Sequence, residues 1–225
     1  MDKDKIKEKA ELWLIEPFDS ETQQNVQKLL TENSDSLLDS FYKDMEFGTG
    51  GMRGIMGVGT NRINKYTLGR STQGLSNYLR KTFPEKELKV AIAYDCRHNS
   101  DTLAKLVSDV FTANGIKVYL FDDLRPTPEL SFSVRHLGCD AGIVLTASHN
   151  PPEYNGYKVY WNDGGQIVPP HDKKIIEEVN LVEFDKINFN ANDTLLEYVG
   201  IKVDYEFIDA CVKYGTFYTP NKSKL

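Results

Sequence analysis

Apolar and polar positions change their rhythm twice along this chain. Over the first 45 residues the apolar positions recur at helical intervals. "KIKEKAELWLI" places Ile6, Ala10, Trp13 and Leu14 on one face, and Pro17 ends the segment. "DSETQQNVQKLL" predicts a second helix, with Asp19 or Ser20 as cap and Val26, Leu29 and Leu30 as its stripe. "SDSLLDSFYKDM" predicts a short third one. The rhythm then breaks at "FGTGGMRGIMGVGTNRIN", which reads as a glycine-dense loop. Beyond it, two patterns alternate. "YTLGRSTQGLSNYLRK", "SDTLAKLVSDVFTANG", "TPELSFSVRHLG" and "PPHDKKIIEEVNLV" are helical, with Gly115 and Gly138 as stop signals and Pro169-Pro170 as a start signal. "LKVAIAYD", "IKVYLFD" and "AGIVLTAS" are strands, and the Asn155-Gly156 pair predicts a tight turn leading into a further strand, "GYKVYW". From Asn188 to Gly200 the pattern loosens into a connector. "VDYEFIDACVKYG" is helical again, and "TFYTPNKSKL" is a polar tail.

Strands separated by helices of this length predict an α/β fold, a three-layer α/β/α sandwich with a mostly parallel sheet. "GYKVYW" returns after only a short loop, so it is expected to run antiparallel and make the sheet mixed. The predicted organisation is a helical lead-in over 1–45, the α/β/α domain over 46–190, and a connector with the start of a second domain over 191–225. The segment from about Asp204 onward is expected to pack poorly.

Composition narrows the chemistry. The formal charge of −6 argues against a nucleic-acid binder, which needs a basic surface. It leaves room for a small anionic ligand held by a local cluster of cations. The three cysteines, Cys96, Cys139 and Cys211, have no metal or redox spacing and read as buried free thiols in a reducing compartment. There is no long apolar run and no leader-like N-terminus, so a cytoplasmic protein without membrane contact is expected.

Ligands of open α/β sheets bind beyond the carboxyl ends of the strands. Three segments fall there: Asp95-Cys96-Arg97, Arg125-Pro126-Thr127-Pro128, and Ser148-His149-Asn150. A fourth, "GTGGMRG", carries Arg53 among glycines that permit close backbone approach. Ser148 admits three readings. As a hydrolase nucleophile it lacks the G-x-S-x-G elbow, and the adjacent His149 is poorly placed to be a triad base. As a phosphoryl carrier it needs surrounding cations, which Arg53, Arg97, His149 and Lys158 could supply, with Asn150 as a neutral donor. As a turn residue it would only bond its own backbone. Arg53 and Lys158 could equally be solvated, and Asp95 and Arg97 could merely brace the strand end. His98, His136 and His171 have no ligand spacing.

Four segments together carry a resemblance. "TASHNPPEYNGYKVYWNDGGQI" closely resembles the phosphoserine loop of the α-D-phosphohexomutases, the phosphoglucomutase/phosphomannomutase family. "FGTGGMRGIMGVGTNRIN" is similar to that family's N-terminal signature, and "AYDCRHNS" and "RPTPEL" resemble its intermediate loops, all in the family's order. The lead-in with "ELWL" is similar to the phosphoglucomutase-2 and phosphopentomutase branch. The resemblance implies the family's domain I. It implies that Ser148 is the phosphorylated serine, with Arg53, His149 and Lys158 as its catalytic neighbours. It also implies phosphate or substrate contacts from Asn150, Arg97, Thr49 and Gly50.

The implied reaction passes a phosphoryl group from Ser148 to a sugar monophosphate, forming a bisphosphate that reorients and returns its other phosphate. A glucose 1,6-bisphosphate-type activator and a Mg2+ ion are implied, the ion held by the serine phosphate and three aspartates. Of those ligands this chain has only Ser148, because the family's Asp-Gly-Asp-x-Asp-Arg segment, its Gly-Glu-x-Ser-Gly sugar loop and its C-terminal phosphate loop are missing. The expected partners are a phosphosugar and domains II–IV, and the isolated chain is expected to be inactive. The alternative is a stand-alone α/β module that binds a phosphate or a partner without catalysis.

Overall fold

Apolar strands separated by amphipathic helices meet in one sheet. The computed structural model describes residues 3–32, 35–48 and 50–215. Among them, six strands are β1 (Gly51–Ile55), β2 (Lys89–Tyr94), β3 (Lys117–Phe121), β4 (Ala141–Leu145), β5 (Tyr154–Trp161) and β6 (Leu196–Val199). They lie in the order β1-β5-β4-β2-β3-β6. β2 pairs parallel with β3 and β4, and β3 with β6. β5 is antiparallel to both of its neighbours, β4 and β1, so it alone runs against the rest. The sheet is mixed and mostly parallel, as the alternation predicts.

Side chains alternate across the strands and sort the core into two faces. Val90 and Ile92 of β2 join one cluster with Leu75 and Leu79 of α4 (Lys65–Thr82), Val107 and Phe111 of α5 (Ser100–Ala113), and Ile175 of α7 (His171–Asn180). The intervening Ala91 and Ala93 pack on the other face with Leu130 and Val134 of α6 (Thr127–His136) and Val203 of α8 (Ile201–Tyr214). Helices therefore cover both faces, in the α/β/α layering.

The lead-in forms α1 (Lys3–Glu11), α2 (Ser20–Glu32) and α3 (Asp35–Phe41), with a separate small core. Trp13 stacks on Phe18 at 4.2 Å and meets the edges of Phe41 and Tyr66. The Tyr66 hydroxyl donates to the Asp19 carboxylate at 3.0 Å and accepts from the Asp19 N–H at 2.6 Å, tying the lead-in to the start of α4. Burial of Asp19 opposes its ionisation, but the Thr22 N–H, Lys65 and Tyr66 outweigh it and hold the carboxyl down at about 2.

Four expectations change. The glycine-dense stretch is not all loop: Gly51–Ile55 is β1, hydrogen-bonded along β5. Asn155 and Gly156 form no turn; they lie inside β5, opposite Gly54 and Arg53. The glycine serves close approach instead, because a Cβ there would sit 2.6 Å from the Thr146 carbonyl oxygen and 2.8 Å from that of Met52. The 188–200 connector contains β6, a four-residue strand too short for a periodicity to show. Of the cysteines, Cys139 is buried, whereas Cys96 and Cys211 are exposed.

The helix α8 is held at its inner side and bare at its outer one. Arg125 grips Asp204 with two nitrogens at 2.7 and 2.8 Å, and Val203 is buried. Ile201, Tyr205, Ile208 and Val212 are exposed. The expected polar tail lies outside the described residues. Beside the Arg125–Asp204 pair sits Glu129, only 5% exposed. Burial first, then the adjacent Asp204 carboxylate, push its carboxyl up to about 7 against the pull of Arg125.

Two predictions arise here. A raised folded-state carboxyl favours the protonated form, so its contribution is complete below the ordinary carboxyl range and is lost as pH rises through about 7. Urea midpoints of the chain should fall between pH 5 and 8, and Glu129→Gln should flatten that decline; an equal slope in the variant refutes the assignment. Secondly, Gly156→Ala should cost about 2–3 kcal/mol, because the crowding atoms are backbone and cannot step aside. Gly138→Ala, at φ 64° with nothing within 4 Å of the new Cβ, should cost only about 1–2 kcal/mol by the same measurement.

Candidate functional site

The site starts where β4 runs out of sheet. Thr146 still pairs with β5, its N–H donating to the Gly156 carbonyl at 3.1 Å, and the chain then leaves through Ala147 to Ser148. Ser148 is exposed and adopts φ 56°, a left-handed conformation uncommon outside glycine. Several bonds hold it there. Its N–H donates to Thr146 Oγ1 at 2.9 Å, and the Asn150 N–H reaches back to the Ala147 carbonyl at 3.1 Å. The Ser148 hydroxyl lies 3.2 Å from His149 Nδ1. Among the described residues no carboxylate pairs with His149, so the Ser-His contact has no orienting acid and makes no hydrolytic triad.

The register of β5 brings the cations alongside. Gly156 faces Arg53 on β1, and Lys158 faces Gly51 on β1 and Val144 on β4. Tyr157 and Val159 point into the α4–α5 core, so Arg53, Gly156, Lys158 and Thr146 share the opposite face. A cleft of about 380 Å³ opens there, lined by Lys43, Arg53, Lys158, Thr146, Gln166 and the Gly50-Gly51 backbone. Glu46 is its one acidic lining residue, so a protein of net negative charge presents a cationic cleft. The half-buried Lys158 ammonium has no acidic partner among the described residues. Arg53 donates to Asn150 Oδ1 at 2.8 Å, bridging the cleft to the serine loop. Gly50 and Gly51 have positive φ (88° and 131°), and a Cβ on Gly51 would strike the Tyr157 carbonyl, so only glycine lets this turn lie against β5.

The predicted residues thus fall into groups. Arg53, Lys158 and Gly50 line one cleft; Ser148 and His149 stand exposed on the adjoining loop and are not among its lining residues. Asn150 joins the two through Arg53. Thr49 lies outside the described residues. Arg97, expected as a phosphate contact, directs its four terminal N–H groups to the backbone carbonyls of Ser148, Asn150, Pro151 and Tyr154. Asp95 caps the turn beneath, accepting from the Arg97 N–H at 3.1 Å and the Ser100 hydroxyl at 3.2 Å. Lys43, Thr146 and Gln166 were not legible as site residues. Thr146 and Lys158 are recognisable as neighbours only once β1 and the β4–β5 register are known.

Among the described residues no group of three or more His, Cys, Asp or Glu side chains could hold a metal ion. Magnesium demands several oxygen ligands, and a phosphate on Ser148 would bring only its own. The described residues do not make a magnesium site by themselves.

Comparison with known proteins agrees with this fold. Residues 44–186 match the model of phosphoglucomutase/phosphomannomutase, alpha/beta/alpha domain I. A human phosphopentomutase is 43% identical over 175 residues, covering 74% of this chain and 29% of that protein. A phosphoglucomutase of Staphylococcus haemolyticus is 40% identical over 177 residues, covering 72% and 32%. A crystal structure described as a phosphomannomutase from Thermus thermophilus superposes with a TM-score of 0.62 at 29% identity, covering 76% of this chain and 36% of that one. The chain belongs to the phosphoglucomutase/phosphomannomutase family and contains its domain I. It spans about three-tenths of the length of these two curated relatives. Among the described residues no helix is long and apolar enough to cross a membrane.

A cleft lined by Arg53, by Lys158 without an acidic partner among the described residues, and by glycine backbone should take a phosphate. Titrating the 15N-labelled chain with inorganic phosphate should shift the amides of Gly50, Gly51 and Lys158. Arg53→Ala or Lys158→Ala should weaken that binding roughly tenfold, the usual scale for one charged hydrogen bond. Shifts that are absent, or unchanged in both variants, would show that the cleft is not an anion site.

Proposed function

We propose that this chain is the phosphoserine-bearing part of a mutase that interconverts sugar 1-phosphates with hexose 6-phosphates or pentose 5-phosphates. The observation that carries the reading is Ser148 itself: an exposed hydroxyl in a braced left-handed turn, beyond a strand's carboxyl end and beside a cationic cleft. Family membership supports the same chemistry, and relatives named both phosphopentomutase and phosphoglucomutase leave hexose and pentose substrates equally open.

In this reading the Ser148 Oγ–phosphorus bond breaks as the bond to a sugar hydroxyl forms. The hydroxyl proton passes to the serine oxygen, for which His149 Nδ1, 3.2 Å away, is the nearest relay. The bisphosphate turns over within the site, and Ser148 takes back the other phosphate. A bisphosphate of the glucose 1,6-bisphosphate type would therefore prime an unphosphorylated serine. Arg53 and Lys158 act where charge accumulates on the transferring oxygens, and a preorganised donor is worth about 2.7–4 kcal/mol there. Magnesium is left to the rest of such an enzyme, because these residues do not enclose it. The isolated chain lacks turnover for the same reason.

The test uses the protein expressed from its complete reading frame, with glucose 1-phosphate or ribose 1-phosphate, a glucose bisphosphate primer and magnesium. Turnover is expected, together with a phosphorylated Ser148 by mass spectrometry. Ser148→Ala should remove the phosphoenzyme and lower turnover by several orders of magnitude with an unchanged melting temperature. Arg53→Ala and Lys158→Ala should each lose roughly a hundredfold or more. Near-normal activity of Ser148→Ala refutes the carrier role.

A further inference from the structure

We propose that Arg97 is a positioning residue that locks the Ser148 loop into its transfer-ready shape, and that it does not bind the phosphate. The proposal rests on the mutase reading for its catalytic consequence, and on geometry alone for the lock.

A guanidinium carries five N–H groups in a rigid planar fork. Four of Arg97's are occupied. Nη1 donates to the carbonyls of Pro151 and Tyr154 at 2.9 and 3.0 Å, and Nη2 donates to those of Ser148 and Asn150 at 2.7 and 2.5 Å. The fifth, on Nε, is buried without a hydrogen-bond partner, 3.9 Å from the Asp95 carboxylate. The side chain is only 10% exposed. No terminal donor is left over for a ligand, and turning one outward would strip a carbonyl of its partner.

What these four bonds hold is a conformation the loop would not keep unaided. Ser148 sits at φ 56°, a region that disfavours a residue with a side chain. Arg97 binds the carbonyls on both sides of the His149 peptides, then those nearer the start of β5, so it sets the turn and the loop's return together. Arg97 is itself held from below, since its N–H bonds Asp95 and the Ser100 hydroxyl bonds the same carboxylate. Asn155, fully buried in β5, closes the bracket by donating to the Ser100 hydroxyl and the His98 carbonyl. The "DCRHNS" segment is thus a bracket beneath the serine loop. A lysine could not replace the arginine, because one ammonium with three donors cannot span four carbonyls.

Two measurements test this independently. In the 225-residue chain, Arg97→Ala and Arg97→Lys should raise amide hydrogen exchange across residues 147–154 at least tenfold, while α4 and α5 stay as protected as in the parent. Should Arg97→Ala fail to fold, Arg97→Lys is read alone. This arm stands whether or not the protein is a mutase. In the protein from the complete reading frame, both variants should lower kcat about a hundredfold with KM for the sugar phosphate within threefold, the size expected of a misplaced reacting group. Millimolar methylguanidinium should restore part of the loss in Arg97→Ala. Unchanged exchange over 147–154 overturns the lock. A raised KM with intact kcat overturns the positioning role and returns Arg97 to the phosphate.

Discussion

Everything at the site depends on one strand being paired on both sides. β5 is hydrogen-bonded to β4, which ends in the serine loop, and to β1, which carries Arg53. Through this shared partner, residues almost a hundred positions apart are fixed within one hydrogen bond's reach, Arg53 on Asn150 at 2.8 Å. Side chains in a sheet alternate, so a slip of one residue in either pairing would turn Lys158 into the core and Tyr157 outward. The burial of Tyr157 and Val159 on the core face opposes such a slip. Packing in the interior therefore sets the register, and the register sets which charges meet.

The glycines follow from the same constraint. Gly156 lies where β1 and the end of β4 close on β5 from both sides, and Gly51 presses on the Tyr157 carbonyl. Gly51, with Gly50 before it, leaves a floor of bare backbone between the cationic side chains, where an anion can approach closely. The cleft gains its shape from absent side chains and its charge from Arg53, Lys158 and Lys43.

The α/β alternation, the antiparallel course of β5 and the carboxyl-end position of Ser148 were legible because each rests on local periodicity or on the length of a connecting loop. Other features were not. Asn155-Gly156 carries the strongest short-range signal for a hairpin turn, yet the pair is drawn into a strand by two flanking ladders that no local pattern reveals. β1 was hidden by its glycines, which lower strand propensity while permitting the close packing that makes it a strand. Arg97 was read as a phosphate contact or as a brace of its own strand end, not as a brace of the serine loop. The choice between ligand contact and loop contact depends on where four carbonyls point, and the sequence carries no record of that.

The N-terminal helices bear on the cleft through a short mechanical chain. Arg62 on the far side of β1 bonds both the carboxylate and the carbonyl of Asp39, in α3. Thr60 bonds the Lys43 carbonyl through its hydroxyl and the Met45 N–H through its own carbonyl. The wall that offers Lys43 and Glu46 is thus hung between the lead-in and the turn after β1, and neither end belongs to the central sheet. Cooperative units of low stability give way before the core does. Fraying of the helical preface would leave the Ser148 loop standing but strip one side from the groove. Occupancy of that groove and order in the preface are therefore thermodynamically linked, each favouring the other.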